Sequence, residues 1–486
     1  MKIRPLFYFV LVLEFLRMQP PAAAAQTPEP EAGRAREESA GSGLVGRPLD
    51  VVVVPGDWLP GLLGTSIPQL RLMTRRWGRW EPVPFQIDEK TQDGAYLFPF
   101  GKESDREKLD QKLDRRDELV FLARDAGCRA SAADWPVEQE IGEEIGLTDP
   151  LSGQRGWLYL FAFPNPPPVS IVDLINYDPD YDRIQSRYYT AGYSRLKHDQ
   201  KAVMEYFSIP ESEGGSGSNW CDSAKIWTRI KLLFSVFRIT IHSDNWVSWV
   251  PAYIDGPIRV IVKKRMAIKL GLGLRTPHVE ADLIYYPRFF ISAIVISIPF
   301  DPSIVTSSLS ITIGTDLNHE ATGMLFWNSQ NLEPVLVDGR MSPQEKAMDM
   351  RPDAWRVVSG RQGKYMGKAV YAGNFRLSNI KLDQGLYVDD SSYREPPENE
   401  PGIYGSYNWT WDITHGKKGK YVVWIEAHYG SGIQSEQDLT TCLNLTDHPL
   451  YVRTDSLERL NCLLIPPPGF SREVLPEEYQ QSWPAH

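Results

Sequence analysis

Apolar and polar positions alternate most clearly in IRVIVKKRMAIKL, residues 258–270: Ile258, Val260, Val262, Met266, Ile268 and Leu270 fall on one parity, Arg259, Lys263, Arg265 and Lys269 on the other. Successive side chains of a strand point to opposite faces, so the segment predicts a long strand with one wet face. VFRITIH from Val236 and SLSITIG from Ser308 alternate in the same way. FFISAIVISI, Phe289 to Ile298, is apolar on both parities yet too short to cross a membrane as a helix, which predicts a strand buried on both faces. YGSYNWTWDI and GKYVVWIEAHY read as a further strand pair joined by THGKKG.

Upstream, short apolar runs separated by turns (LDVVVV, VPFQI, ELVFLA and GWLYLFAF) extend from residue 48 to 163. PNPPP, Pro164 to Pro168, cannot occupy a central strand and marks a boundary; PESEGGSGSN, Pro210 to Asn219, reads as an exposed loop. Helical pattern is confined to SPQEKAMDM from Ser342, TDSLERLNCLL from Thr454 and part of the insert near residue 105. The expected architecture is mainly β: a small N-terminal β-domain (48–163) with an acidic loop, a larger antiparallel β-sandwich (169–430), and a C-terminal extension (431–486) with a short helix. An outer-membrane barrel would need an outward apolar band on nearly every strand, and the short strands and proline-rich loops favour the sandwich.

The N-terminus changes the setting. Lys2 and Arg4, an apolar run from Pro5 to Leu16 and a small-x-small site at Ala23 and Ala25 read as a signal peptide over residues 1–25, leaving no transmembrane segment after cleavage. Residues 26–47, rich in Pro, Glu, Ala, Gly and Ser, read as a disordered linker. The leader carries Lys2, Arg4 and Arg17 against Glu14, so its loss takes the formal charge from −10 to −12. An acidic exported chain lacks the basic footprint that nucleic acid requires. Four cysteines (Cys128, Cys221, Cys442, Cys462) in an oxidising compartment allow up to two disulfides, with Cys442 and Cys462 the nearest pair in sequence; buried thiols are the alternative.

Candidate chemistry lies in three places. Asp88, Glu89, Asp93, Asp114, Asp117 and Glu118, with Gly94 in a DG turn, offer the oxygen ligands calcium takes, although Lys90, Arg115 and Arg116 could equally neutralise a solvated loop. YDPDYDRIQSRYY places Tyr181, Arg183 and Tyr188 where they could stack on a sugar ring, or simply shape a turn at the core edge. HVEADLIYYPR brings His278, Tyr285 and Arg288 into one segment with Glu280 and Asp282, for proton transfer or ligand binding, or as the polar face of a half-exposed strand. No nucleophile elbow, HExxH, phosphate-binding glycine loop or CxxCH occurs, the eight histidines are scattered, and no catalytic residue is assigned.

LDVVVVPGDWLPGLLG, PVPFQIDE, RRDELVFLARDAG, DGPIRVIVKK and VDGRMSP together resemble an uncharacterised family of exported bacterial envelope proteins over most of residues 48–430. The Gln-x-Asp followed by Asp-Glu-Leu-Val-Phe resembles the start of a domain of unknown function associated with polysaccharide-degrading enzymes, in which the acidic loop is compact; here an insert interrupts it. GPIR entering a long strand resembles the sandwich of carbohydrate-active lyases and epimerases. Together with the leader, these resemblances lead to the expectation of an exported binding or structural protein of the Gram-negative envelope, periplasmic or at the cell surface, with polysaccharide or an envelope protein as partner; calcium is the cation that the acidic loop itself offers to hold. The alternative is a polysaccharide lyase or glycoside hydrolase on the same scaffold.

Overall fold

The computed structural model describes residues 46–480 apart from 200, 235, 272–273, 277, 383–384, 397, 456, 468–469 and 471; the expected leader and all but the last two residues of the expected linker lie outside the described residues. The fold is mainly β, as expected. An eleven-stranded sheet and a six-stranded sheet form a sandwich, and among the described residues all strand pairs are antiparallel. The core between them combines Val260 and Val262 of the strand Val260–Gly271, Ile296 and Ile298 of Phe289–Ile298 and Val423 of Gly419–Gly430 with residues of the smaller sheet. Those are Leu309 and Ile311 of Thr306–Leu317, and Trp409 and Trp411 of Ile403–Asp412.

The large sheet is covered on its other face too. Ile261, Ile284, Ile291, Val422 and Trp424 pack there against Val51, Val53, Val120 and Leu122 of the N-terminal strands, and against Leu464, Ile465 and Leu475 from the C-terminus. The strand Phe289–Ile298 is therefore enclosed on both sides, as its unbroken apolar run predicts. The wet face expected for residues 258–270 is not found at the start of that strand: Arg259 is fully buried, Ile261 joins the second core, and Lys264 is buried on the sandwich side. Alternation exposes a face only if nothing covers it, and here the N-terminal strands do.

VVVVP, Val51–Pro55, explains itself the same way. Val51 and Val53 enter the second core, while Val52 and Val54 enter a third with Leu70, Leu72, Leu119, Phe121, Leu158 and Leu160. That third core is closed by the C-terminus, where Tyr451–Thr454 pairs with Ile141–Thr148 and Val452 is fully buried. The helix expected from Thr454 is instead a hairpin between Tyr451–Thr454 and Leu457–Leu460, because Val452 and Thr454 bury on one parity while Tyr451 and Arg453 stay exposed. The helix of this region lies earlier, at Glu436–Asp447. Ser342 caps the short helix Pro343–Lys346 through a capping box with Glu345, as its sequence suggests.

Cys442 and Cys462 are not bridged. Cys462 lies in the second core with its thiol towards the Leu464 carbonyl, whereas Cys442 packs beside Trp327 and Val357 and accepts from Lys364 Nζ at 3.1 Å. At the other end, Arg47 is fully buried, its guanidinium bonded to Asp149 Oδ1 at 2.7 Å and to the His448 carbonyl. Among the described residues no helix is long and apolar enough to cross a membrane.

Candidate functional site

The acidic loop is built on two short strands, Phe85–Asp88 and Glu118–Leu122, whose register places Asp88 directly opposite Glu118. Two buried like charges at that spacing repel unless a cation separates them. Arg259 supplies it: Nε donates to Asp88 Oδ2 and Nη2 to Glu118 Oε2, each at 2.6 Å. Lys90 Nζ donates to Glu118 Oε1 at 2.7 Å, and the Tyr96 hydroxyl donates to Oε2 at 2.9 Å. Gln86 completes the lock. Its amide donates to Asp88 and its carbonyl accepts from the backbone N–H of Arg259 at 3.0 Å, and a β-carbon at Gly256 would come within 2.4 Å of that amide. Burial alone would raise the Glu118 carboxyl, but Lys90 and Arg259 outweigh it and hold it at about 2.

The other members of the sequence-derived calcium set serve the turn. Glu89 Oε2 accepts from the backbone N–H of Asp110 and Gln111, Asp117 from those of Lys90 and Asp114, and Asp93 from the Thr91 hydroxyl. Burial pushes Asp117 up to about 7; Asp93 and Asp114 are exposed. The structure thus brings Asp88 and Glu118 together around Arg259 and Lys90, and the six carboxylates do not converge on one point.

The six candidate ligand-binding residues also separate. Tyr181 and Arg183 meet, with the guanidinium 5.2 Å from the Tyr181 ring and 4.3 Å from that of Tyr206. Arg288 lies over Tyr188 at 4.6 Å and pairs with Glu213 at 3.1 Å. Tyr285 is buried, its hydroxyl donating to Tyr193 at 2.9 Å. His278 stands at the surface beside Glu280 and edge-on to Trp249.

Arg183 leads instead to an open cleft of about 480 Å³ that it shares with Arg195, Tyr206, Ser218, His319, Glu320 and Glu400. One wall is a four-stranded sheet containing Arg183–Ser186 and Tyr206–Ser208. Its geometry is set next door by Asp182, held at a left-handed φ of 46° while its carboxylate accepts from buried Lys264 Nζ at 2.7 Å and from the Tyr177 hydroxyl at 2.9 Å. Burial drives Lys264 down to about 8 in spite of Asp182.

The opposite wall is the turn His319–Ala321, capped by Asn318, whose side-chain oxygen accepts from Glu320 N at 2.9 Å. Glu400 joins the walls. It accepts from Arg195 Nη1 at 2.9 Å through Oε1 and faces His319 Nδ1 at 3.2 Å through Oε2. The exposed imidazole of His319 therefore lies between two carboxylates, Glu400 Oε2 at Nδ1 and Glu320 Oε1 at 3.5 Å from Nε2.

Beneath this wall Asp222, Asp316 and Glu398 each bring a carboxylate oxygen within 4.8 Å of the others. Lys225 Nζ lies 2.5 Å from Asp316 Oδ2 and 3.6 Å from Glu398 Oε2. Asp222 is anchored by the backbone N–H of Glu400 at 2.8 Å, which ties the cluster to the cleft. Among the described residues Asp316 Oδ1, fully buried, has no hydrogen-bond partner, and burial, reinforced by Asp222 and Glu398, pushes the Asp316 carboxyl up to about 7 against the pull of Lys225. Three carboxylates with one ammonium and an unused buried oxygen could hold a metal ion. Sequence reading found none of Arg195, His319, Glu400 or this triad; the Asn-His-Glu cap at 318–320 was the only local signal.

No family model matches the chain, and no curated protein matches it. Among solved structures it is similar to an alpha-mannosidase from Enterococcus faecalis V583, with a TM-score of 0.45 and 9% identity over 85% of this chain and 45% of that one. It is also similar to the heparan sulfate lyase HepC from Pedobacter heparinus (TM-score 0.29, 7% identity, 60% and 42% of the two chains). A third likeness is to the gh92 family glycosyl hydrolase ccman5 (TM-score 0.25, 11% identity, 53% and 30%). The chain spans less than half the length of each of these proteins, and at these scores the likenesses assign it no family and no activity.

Proposed function

We propose that this is an exported binding protein of the Gram-negative envelope that holds a carbohydrate chain in the cleft between Arg183 and His319, with calcium as the ion of the Asp222–Asp316–Glu398 triad. The observation that carries the reading is the cleft itself. It is open, lined by charged and hydroxylic donors and acceptors, and walled on one side by Arg183 with its guanidinium 4.3 Å from the Tyr206 ring. Sugar hydroxyls need such mixed partners, and a planar guanidinium held against an aromatic ring keeps its orientation at little entropic cost. Calcium suits a triad made only of oxygen donors.

Retention on immobilised neutral and uronic-acid polysaccharides tests the reading. The protein binds at least one class, and Arg183→Ala weakens that binding roughly tenfold, the scale of one lost charged hydrogen-bonding group. Failure to bind either class rejects it. The contact of Glu400 with His319 favours a second reading, cleavage of the bound chain with His319 as general base. New reducing ends released by the wild type and not by His319→Ala would establish it.

A further inference from the structure

At one end of the sandwich the turn between Cys221–Leu232 and Arg238–His242 carries its large apolar side chains outward. Phe234 is fully exposed, Val236 is 86% exposed, and Leu233 and Phe237 are exposed as well. The backbone N–H of Leu233 donates to the Val305 carbonyl at 3.1 Å, which brings the turn Pro302–Ile304, with Ile304 66% exposed, to the same end. A folded chain that buries three extensive cores has no packing reason to leave these residues in water, and solvation alone makes an apolar apex unfavourable.

Cations surround the apex. Lys231 and Arg238 face each other across the hairpin stem, both exposed. Strand registers add a second basic loop: Leu232 lies opposite Thr306, and Ser310, four residues along the same strand, lies opposite Asp412. The connection that follows Asp412, with exposed Lys417 and Lys418, therefore emerges at this end. Among the described residues none of these four cations is held in an ion pair. The one exposed carboxylate of the neighbouring turn, Asp301, already accepts from the Ser303 N–H and hydroxyl. A concentration of positive charge is conspicuous in a chain whose net charge is −10.

We propose that this end of the molecule docks on the surface of an anionic phospholipid bilayer, with Leu233, Phe234, Val236 and Ile304 entering the interface and Lys231, Arg238, Lys417 and Lys418 meeting the headgroups. Phe234 and Val236 stand almost wholly in solvent, which suits insertion among lipids better than reception of a peptide. Its cations sit beside the apolar tip, as the boundary between acyl chains and phosphate demands. Docking by this end is independent of the carbohydrate cleft, which is built from Arg183, Arg195, His319 and Glu400.

Flotation of the full chain with vesicles tests this. It should float with phosphatidylcholine vesicles containing phosphatidylglycerol and not with phosphatidylcholine alone. The double variant Phe234→Asp, Val236→Asp should lower the bound fraction at least roughly tenfold. Lys417→Glu with Lys418→Glu should weaken it about fivefold for each cation removed. All substituted side chains are exposed, so the melting midpoint and polysaccharide retention serve as folding controls and should not change. Binding that survives the double variant places the contact elsewhere and overturns the proposal. So does failure to prefer the anionic vesicles, or a dimer that Phe234→Asp dissolves while vesicles go unbound, in which case the apex meets a second copy of the chain.

Discussion

Two of the buried clusters of carboxylates and cations are built on opposite principles. Around Arg259 two carboxylates face two cations, and Asp88 and Glu118 are met by Gln86, Lys90, Arg259 and the Tyr96 hydroxyl. Around Lys225 three carboxylates share one ammonium, Arg195 reaches only the edge at Asp222, and a buried oxygen of Asp316 is left without a donor. The first arrangement is balanced in charge, a lock between the N-terminal strands and the large sheet. The second is short of positive charge and lies under the cleft. Density of acidic residues in sequence therefore says little about ion binding; the count of cations brought in by the fold decides it.

The largest expected effect falls on the lock. Arg259→Met should destabilise the protein by about 3–5 kcal/mol, because it leaves two facing carboxylates buried without their cation. Lys225→Met should cost clearly less, since Asp316 is already poised to take up a proton; equal losses in denaturant titrations of the two variants would break the comparison.

Acid titration separates the clusters next. Glu118 is held at about 2 against its ordinary 4.5, so its contribution is complete above 4.5 and is lost as pH falls towards 2. Asp316 is raised to about 7 from 3.8, so the folded state binds the extra proton and stability falls as pH rises through that window. Asp316→Asn should remove the Asp316 share of the dependence between 3.8 and about 7, leave that of Asp117 in the same window, and leave the acid limb intact, as read from melting midpoints across pH.

Calcium sharpens the contrast. At a hundredfold excess over its dissociation constant the ion should stabilise the wild type by about 2.7 kcal/mol, and chelator should reverse this. Asp316→Asn should abolish the shift. The smallest effect is expected of Asp93→Asn in the acidic loop, which should leave both the midpoint and the calcium response unchanged; a lost response there would return the ion to the loop.

Much of the fold is legible along the chain. The double-sided apolar run Phe289–Ile298, the valines of residues 51–54 and the alternation of residues 308–314 all report strands whose faces match their parity. Misreadings arise where a pattern has two solutions. TDSLERLNCLL spaces its leucines acceptably for a helix, yet pairing with Ile141–Thr148 makes the region a hairpin. The site was less legible. Of the residues around the cleft only Arg183, with Tyr181 beside it, stood out, because a Tyr-Asp-Arg segment is a local signal. Arg195 and Glu400 meet across 205 residues and His319 and Glu400 across 81, with nothing local to announce them.

By itself the sequence determined the strands whose alternation had one solution, because side-chain parity is a local property of the backbone, and it determined that the fold would be mainly β. Only the tertiary structure decided which faces stayed wet. Arg259 sits on the charged parity of its strand, and it became the centre of a buried lock because Asp88, 171 residues earlier, was folded over it. Burial and ion pairing depend on what another part of the chain brings to a face, and a periodicity of two carries no record of that.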